Sequence, residues 1–409
     1  MHSPLGIGDD DFPSHNRWEQ ALKASHPRIA IIGAGIGGLT AAVALRQRGF
    51  DCSVYEQAAE LGEVGAGLTI NARASLVLEA LGLGPGLEAL EPPTPSLGAL
   101  HFETGKRLSY EQRDLDAYRE RYGSVTRHVH RADLHRLLLE ALPGDWLRPA
   151  HELTGVDETP ERVVLQFANG EGAEYDLLMA CDGLKSTVRQ LMFSAEPAHF
   201  TGYVAWRGLV PSRALPDLTF DPHFAAFASP DKLFARYPVR HGSLINYVAI
   251  ARKPDFTTES WHSSAEVSEV LAEFHGWHQD VVEIISATPS QRCMRWALYT
   301  RQPLDRWVTR RMALLGDAAH PMTPFYGMGA NLAIEDGYIL ARCLEACPDD
   351  STEGLARYER ARLPRGQLMQ RISLERAERY MSDDPAERSK PPAAGLDQVM
   401  EYNPITVEI

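Results

Sequence analysis

The amino-acid sequence predicts an α/β protein in which a parallel-sheet domain is interrupted by an inserted antiparallel sheet and followed by C-terminal helices. Three observations support this fold class. A short apolar strand, a glycine-rich turn, a helix and a second strand follow one another between Arg28 and Glu56. Apolar and aromatic residues alternate between turn signals from about His199 to Ala251, which is typical of antiparallel strands. Long helical patterns cover about residues 330–346 and 352–380.

The unit that begins at Arg28 has the pattern of a dinucleotide-binding fold. Gly33 allows a tight turn after the strand, Gly35 lets the backbone approach a pyrophosphate, and Gly38 lets the helix pack on the strand. The peptide groups around Ala34 would then face the phosphates at the start of the helix. Glu56 can accept hydrogen bonds from ribose hydroxyls. The unit predicts a bound adenine dinucleotide without distinguishing FAD from NAD, and a glycine-rich turn without a nucleotide stays the alternative.

Two further buried strands end in turns that contain glycine and aspartate. One strand precedes Asp182-Gly183, and the other precedes Gly316-Asp317. We therefore predict one Rossmann-like domain whose pieces are separated by inserted segments. The predicted boundaries are residues 27–90, 124–195 and 290–345 for this domain, 91–123 and 196–289 for a substrate domain, 346–409 for a C-terminal helix and tail, and 1–26 for a disordered extension.

Composition narrows the range of partners. The chain has 409 residues, of which 44% are hydrophobic and 23% charged, and it carries a net charge of −14. Such an acidic protein is not expected to bind nucleic acid or anionic membranes. It has no apolar run of about 18 residues, so no membrane-spanning helix is expected. The 5 cysteines are scattered without metal-ligand spacing, which indicates reduced thiols in a cytoplasmic protein and no metal site.

Three motifs together resemble those of the class A flavin monooxygenases, the superfamily of p-hydroxybenzoate hydroxylase. They are the glycine turn after Ile32, the segment Cys181-Asp-Gly-Leu-Lys-Ser-Thr-Val-Arg189, and Leu315-Gly-Asp-Ala-Ala-His-Pro-Met322 with its continuation to Asn331. The sequence is most similar to the salicylate hydroxylase-like branch, through Glu63-Val-Gly-Ala-Gly67 and Thr201-Gly-Tyr-Val-Ala-Trp-Arg-Gly208. The resemblance extends from about residue 28 to 380 and implies that the nucleotide is FAD.

The resemblance also implies which residues hold the flavin. Asp317 would bind ribityl or ribose hydroxyls, and Arg131 would reach the diphosphate, although a solvated surface arginine stays the alternative. The backbone of the helix start would stabilise the anionic reduced ring. For the second motif, which contains Asp182-Gly183, a purely structural turn without a role in FAD binding is the alternative. The residues implied by the family pattern, beyond those of the first turn, are Gly67, Arg131, Asp182, Gly183, Gly316, Asp317, Pro324, Gly329, Ala330 and Asn331.

The activity implied by the resemblance is hydroxylation of an electron-rich aromatic ring. Such enzymes reduce FAD with NADH or NADPH, and the reduced flavin captures O2 as a C4a-hydroperoxide. The sequence contains no second GxGxxG unit, which fits a nicotinamide cofactor that binds transiently. An epoxidase or an antibiotic-modifying monooxygenase with a bulkier ligand stays open, as does a non-catalytic FAD-binding protein. Residues 206–211 read WRGLVP, which lacks the signature of the flavin halogenases.

Substrate contacts are predicted on the antiparallel sheet and beside the flavin loop. His320 is the candidate base, because an imidazole titrates near neutral pH; a structural histidine is the alternative. Arg207 could bind a carboxylate and Tyr237 a phenol oxygen, with ordinary sheet residues as the alternative. Trp206 stands where some relatives carry histidine, which puts a simple benzoate in doubt. We expect a small aromatic substrate and a monomer or homodimer.

Overall fold

The computed structural model describes residues 26–62, 66–256, 262–380 and 396–409. The extension predicted for residues 1–26 therefore lies outside the described residues, except for His26, and so do residues 63–65 of the glycine loop. The strands are β1 (Arg28–Ile32), β2 (Asp51–Tyr55), β3 (Gly67–Ile70), β4 (Ser96–His101), β5 (Arg107–Gln112), β6 (Arg127–His130), β7 (Leu147–Arg148), β8 (Leu153–Glu158), β9 (Val163–Phe167), β10 (Gly172–Tyr175), β11 (Leu177–Ala180), β12 (His199–Pro211), β13 (Phe224–Ala228), β14 (Lys232–Val239), β15 (Leu244–Arg252), β16 (His262–Ser264), β17 (Cys293–Thr300) and β18 (Met312–Leu314). The helices are α1 (Ile36–Gln47), α2 (Ala72–Ala80), α3 (Gly84–Leu90), α4 (Leu115–Tyr122), α5 (Arg131–Glu140), α6 (Thr187–Met192), α7 (Val267–Glu273), α8 (Gln279–Ser286), α9 (Gly329–Glu345), α10 (Ser351–Tyr380) and α11 (Leu396–Glu401).

A five-stranded parallel sheet forms the centre of the first domain, with the order β18-β11-β1-β2-β7. β1 pairs with β2 on one side and with β11 on the other, and β11 pairs with β18. The three segments that carry the motifs are thus neighbours in one sheet, as the sequence predicts. Their apolar runs form strands buried on both faces, because helices cover a parallel sheet from both sides.

An eight-stranded sheet forms the second domain, with the order β16-β17-β12-β15-β14-β13-β4-β5. Its pairs are antiparallel except for β13 and β4. The predicted boundary at residue 290 is wrong, because β17 pairs with β12 and β16 and belongs to this sheet. One face packs on α7 and α8 around the buried Trp206 and Phe274. The other face looks toward the parallel-sheet domain.

Helices close the first domain. α1 and α9 approach closely, since a Cβ atom on Gly337 would lie 2.7 Å from the backbone nitrogen of Ala41. Arg342 donates to the backbone carbonyls of Pro404 and Val407, so the C-terminal segment is fixed to α9. Within the described ranges, no helix is long and apolar enough to cross a membrane.

Candidate active site

A cavity of about 620 Å³ separates the parallel-sheet domain from the eight-stranded sheet. One wall contains the glycine turn of α1, the turn after β11, the turn after β18 and the start of α9. The opposite wall is the inner face of β12, β13, β14, β15 and β4. The two sets of residues predicted from the sequence, one for a flavin and one for a substrate, therefore meet at one place.

The glycine turn has the geometry that a pyrophosphate requires. Gly33 has φ +99°, and a Cβ atom there would lie 2.4 Å from the carbonyl oxygen of Cys181. A Cβ atom on Gly38 would lie 2.0 Å from the carbonyl oxygen of Gly33, so the helix rests on the turn. At Gly35, by contrast, an added Cβ would meet no described atom within 4 Å. The backbone at Gly35 is thus open to a ligand, while its two neighbours in the motif hold the turn.

Glu56 lies at the carboxyl end of β2, beside this turn. Its Oε2 accepts from the backbone N–H of Ala34 at 2.9 Å, and its Oε1 accepts from that of Ala58 at 3.0 Å. These two bonds fix the carboxylate and leave lone pairs for ribose hydroxyls.

The turn after β11 holds a carboxylate with an unused oxygen. Asp182 Oδ2 accepts from the backbone N–H of Val188 at 3.3 Å, whereas Oδ1 is buried without a hydrogen-bond partner among the described residues. Burial raises the pKa of this carboxyl. Gly183 has φ +76° and lines the cavity, with no described atom within 4 Å of an added Cβ.

The turn after β18 places Asp317 at the cavity. Gly316 has φ +57°, and its N–H donates to Asp336 Oδ2 at 3.0 Å. The Asp317 side chain is accessible from the cavity although protein surrounds it, and this partial desolvation raises its pKa. Arg131 lines the same part of the cavity, and burial lowers its pKa, as does the neighbouring charge of Arg207. An anionic ligand between the two arginines would relieve both costs.

The start of α9 offers backbone donors. Gly329 and Ala330 line the cavity, and no side chain of the described residues caps the helix at Met328. Pro324 lines the cavity in the preceding turn. The Asn331 side chain faces the protein instead: it accepts from the N–H of Asn71 at 2.8 Å and donates to the carbonyl oxygens of Thr69 and Gly327.

These features fit an FAD molecule. The open glycine backbone suits a diphosphate, the Asp317 carboxylate at the cavity suits a hydroxyl, and the uncapped helix start suits an electron-rich ring edge. Of the residues predicted to bind FAD, nine line the cavity: Gly35, Gly67, Arg131, Gly183, Gly316, Asp317, Pro324, Gly329 and Ala330. The other six do not line it: Gly33, Ala34, Gly38, Glu56, Asp182 and Asn331. Gly67 lies against the antiparallel sheet: its N–H donates to Asn246 Oδ1 at 2.6 Å, and a Cβ atom there would overlap Tyr237. Only its backbone can therefore face the cavity.

Arg207 and Tyr237 lie on the cavity face of the antiparallel sheet, as predicted. Burial raises the pKa of Tyr237 to about 12. Arg207 lies over the Trp296 ring at 5.4 Å, and it makes no hydrogen bond or ion pair with any described residue. Burial lowers the pKa of Arg207. The alternation of the strands places Trp206 on the opposite face, where its Nε1 donates to Glu269 at 3.1 Å.

The prediction that His320 is the base is not supported by its position. His320 is fully buried and does not line the cavity. Its Nε2 lies 2.6 Å from Asp336 Oδ2, and its ring packs on Trp307 at 5.1 Å. Asp336 also accepts from Arg362 Nε at 2.7 Å. Although burial by itself raises the pKa of Asp336, the charges of His320 and Arg362 outweigh it and hold that pKa well below its usual range. His320 therefore belongs to a buried network behind the flavin loop.

The sequence interpretation missed His128. This residue lines the cavity, stacks on Tyr237 at 4.3 Å between ring centres, and shares a hydrogen bond with Thr94 through Nδ1 at 2.9 Å. Burial holds the pKa of His128 well below its usual range, so the imidazole is neutral at physiological pH. It is placed there by the pairing of β3 with β6, which sets Thr69 opposite His128. Only its position shortly before Arg131 in the sequence could have drawn attention to it.

The chain is similar to known proteins over most of its length. Residues 27–373 match the family described as FAD binding domain. A 3-amino-4-hydroxybenzoate 2-monooxygenase of Streptomyces platensis is 37% identical over 381 residues, which are 92% of this chain and 95% of that protein. A 6-hydroxynicotinate 3-monooxygenase of Pseudomonas fluorescens is 34% identical over 365 residues, or 88% of this chain and 94% of that protein. Among solved structures, HpxO of Klebsiella pneumoniae, complexed with FAD and uric acid, superposes with a TM-score of 0.80 at 28% identity, covering 92% of this chain and 93% of that one.

Proposed function

Because this chain belongs to the FAD-dependent monooxygenases that hydroxylate aromatic rings, we propose that its substrate is a hydroxylated aromatic acid whose carboxylate binds Arg207. The family, the enzyme class and FAD, all predicted from three motifs, are thereby confirmed. NAD(P)H and O2 are the usual cosubstrates of these monooxygenases. The proposal concerns what the chain itself contributes, which is the recognition of the ring to be hydroxylated.

The observation that carries the proposal is the unpaired guanidinium of Arg207 on the cavity face. A charge withdrawn from water is costly unless an opposite charge and hydrogen bonds compensate it. A carboxylate would supply both, through two parallel N–H···O bonds. The substrates named for the two relatives, 3-amino-4-hydroxybenzoate and 6-hydroxynicotinate, each carry a carboxylate and a ring hydroxyl, which supports this class of substrate.

Tyr237 and His128 are proposed to serve the ring hydroxyl. The pKa of about 12 keeps the Tyr237 phenol protonated, so it can donate a hydrogen bond to an oxygen that becomes negative as the ring is attacked. His128 is neutral, and its Nε2 is the nitrogen not engaged by Thr94. It can accept a hydrogen bond from the ring hydroxyl.

FAD, when bound, supplies the electron transfer and the activation of oxygen. The residues proposed to hold it act at separate parts of the molecule. Gly35 leaves room for the diphosphate and Glu56 holds the ribose, while Asp317 binds hydroxyls nearer the ring. The apolar side chains of the sheet exclude water from the reacting ring.

The test compares hydroxylated aromatic acids with their primary amides. The wild-type protein should oxidise NAD(P)H faster with the acids and convert them to hydroxylated products. Arg207→Gln should lower kcat/KM for the acids by roughly ten- to a hundredfold, the range for a charged hydrogen bond, and affect the amides little. Arg252→Gln is the matched control, since Arg252 is exposed at the end of β15.

Two results would contradict the proposal. In one, the wild-type protein uses amides as well as acids. In the other, Arg207→Gln lowers the activity with both kinds of ligand equally. Either would mean that Arg207 does not recognise a carboxylate. Visible absorption of bound flavin in each variant shows that the fold is retained.

A further inference from the structure

The start of α9 is supported by a buried cluster on the side away from the cavity. We name it the methionine cluster, and it consists of Met328, Leu332, Met369, Ile372 and Val399. None of these five residues lines the cavity, although Gly329, which follows Met328 directly, does. Val399 lies in the segment 396–409, far from the other members in the sequence, and is only 1% exposed. This segment therefore completes the packing behind the helix start that is offered to the flavin.

Two arginines of the first domain hold the segment by its backbone. Arg365 of α10 donates to the carbonyl oxygen of Val399 at 3.0 Å. Arg73 of α2 donates to the carbonyl oxygens of Met400 and Glu401, at 3.1 and 3.0 Å. These carbonyls lie at the end of α11, where a helix has no further N–H groups to satisfy them and its dipole favours a cation. The position of Val399 is thus fixed by specific bonds.

Arg365 also connects the segment to α9. Its Nε and Nη2 donate to the two carboxylate oxygens of Glu335, at 2.7 and 2.9 Å, while its Nη1 bonds Val399. Glu335 is fully buried in the second turn of α9. Although burial by itself raises the pKa of Glu335, the charges of Arg365 and Arg362 outweigh it and lower that pKa. The carboxylate therefore stays ionised, and a two-point ion pair links α9 to the bond that holds Val399.

The segment can act on a ligand only through the helix start, because no residue from 396 to 409 lines the cavity. The backbone there has no side-chain cap, so its geometry depends on the packing around Met328. A methionine side chain has three rotatable bonds and moves readily into an adjacent gap. Loss of Val399 would open such a gap in the methionine cluster, and Met328 would move with the peptide groups that follow it.

We propose that Val399 is a positioning residue for FAD: by filling the methionine cluster, it holds the start of α9 in the arrangement that binds the flavin ring. The inference goes beyond the proposed function, because it does not depend on which ring is hydroxylated. It also has a reciprocal consequence. If the packing of the segment favours FAD binding, FAD must favour that packing by the same free energy.

Amide hydrogen exchange of the wild-type protein measures the reciprocal effect. The N–H groups of Tyr402 and Val407 are bonded within the segment, to the carbonyl oxygens of Gln398 and Asn403. FAD added to the apoprotein should slow their exchange by roughly two- to thirtyfold, the range for coupling through residues that do not touch the ligand. The control is α7, which packs on the far face of the eight-stranded sheet and should exchange as before.

Substitutions measure the same coupling from the other side. Val399→Ala should raise Kd for FAD by roughly two- to thirtyfold, as read from flavin absorption on titration of the apoprotein. Val399→Ile keeps the cluster filled and should keep the wild-type Kd. Val407→Ala is the matched control, because it removes the same two methyl groups from the same segment but packs against the core of the parallel sheet. It should leave Kd unchanged.

A double-mutant cycle shows whether the effect passes through Met328. In the Met328→Ala background the cluster is already open, so Val399→Ala should raise Kd for FAD no further. Urea denaturation of each apoprotein records the loss of stability separately from the loss of affinity.

The inference is overturned if FAD leaves the exchange of the segment unchanged, a result that does not require any variant to fold. It is also overturned if Val399→Ala lowers apoprotein stability but keeps the wild-type Kd, or if the effects of the two substitutions simply add. None of these measurements uses a substrate. A failure of aromatic acids to stimulate NAD(P)H oxidation would therefore contradict the proposed function and leave this inference standing.

Discussion

Replacement of His320 by alanine should destabilise the protein without removing a catalytic base. His320 and Asp336 are both fully buried, and 2.6 Å separates Nε2 from Oδ2. Removing one partner of a buried charge pair generally costs about 3–5 kcal/mol. Asp336 keeps Arg362 at 2.7 Å and the N–H of Gly316 at 3.0 Å. We therefore expect the lower end of that range, a loss of about 3 kcal/mol in the free energy of unfolding.

Urea denaturation at a fixed excess of FAD measures this loss, as a lower midpoint with an unchanged slope. His320→Gln should recover part of the stability, because its amide can still donate to Asp336. Product formed per NAD(P)H oxidised is measured from about pH 5 to 8, the range in which histidine side chains ordinarily change charge. We expect the folded variants to keep the wild-type pH profile. An alanine variant with wild-type stability and a lost pH limb would refute the structural role and restore His320 as the base.

Three further predictions concern the flavin turn, the sheet and acid stability. Gly33→Ala should destabilise the apoprotein by about 1–3 kcal/mol, since its Cβ would overlap Cys181. Gly35→Ala should leave the stability of the apoprotein unchanged and weaken FAD binding, as measured by thermal unfolding and FAD titration; if both variants changed stability and FAD affinity equally, the turn at Gly35 would not be open to a ligand. Tyr237→Phe should lower the amount of product formed per NAD(P)H oxidised by the same factor at every pH below about 10, because a pKa of about 12 keeps the Tyr237 phenol protonated throughout that range. A change in the shape of the pH profile near neutrality would disprove this assignment. Because the pKa of Asp336 is lowered in the folded protein, its ionised carboxylate stabilises the fold above about pH 4, and this stabilisation is lost as the pH falls. At pH values below about 4, the melting temperature of the wild-type protein should therefore fall more steeply with pH than that of Asp336→Asn; parallel curves would contradict this role of Asp336.

Much of the flavin side of the site was predictable from sequence because its geometry is local. The strand, the glycine turn and the start of the helix lie within a few residues of one another. They fix the position of the Gly35 backbone and of the Glu56 carboxylate. The same holds for Asp317, which follows β18 directly. The carboxyl ends of parallel strands meet at one edge of the sheet, so separate motifs converge without further information. The alternation along β12 likewise separated Arg207 from Trp206.

The remaining features depend on contacts between distant segments. His320 follows the flavin motif closely, but Asp336 of α9 and Arg362 of α10 draw its ring away from the cavity. The boundary predicted at residue 290 differs from the structure, in which β17 belongs to the eight-stranded sheet. The sequence of β17 is a short apolar segment, and its partners β12 and β16 lie elsewhere in the sequence, so no local pattern indicates the pairing. His128 reaches the cavity only through the pairing of β3 with β6, which no local pattern indicates.

The order of the parallel sheet also has a consequence for how the protein is made. β1 precedes the substrate domain in the sequence, yet β18, two places away from it in the sheet, follows that domain. Pairings of such sequence separation form slowly, because a long loop must close first. The antiparallel sheet, whose members apart from β4 and β5 lie close together in sequence, can form earlier. Capture of FAD should therefore be a late event in synthesis, one that occurs only after β18 and α9 have emerged.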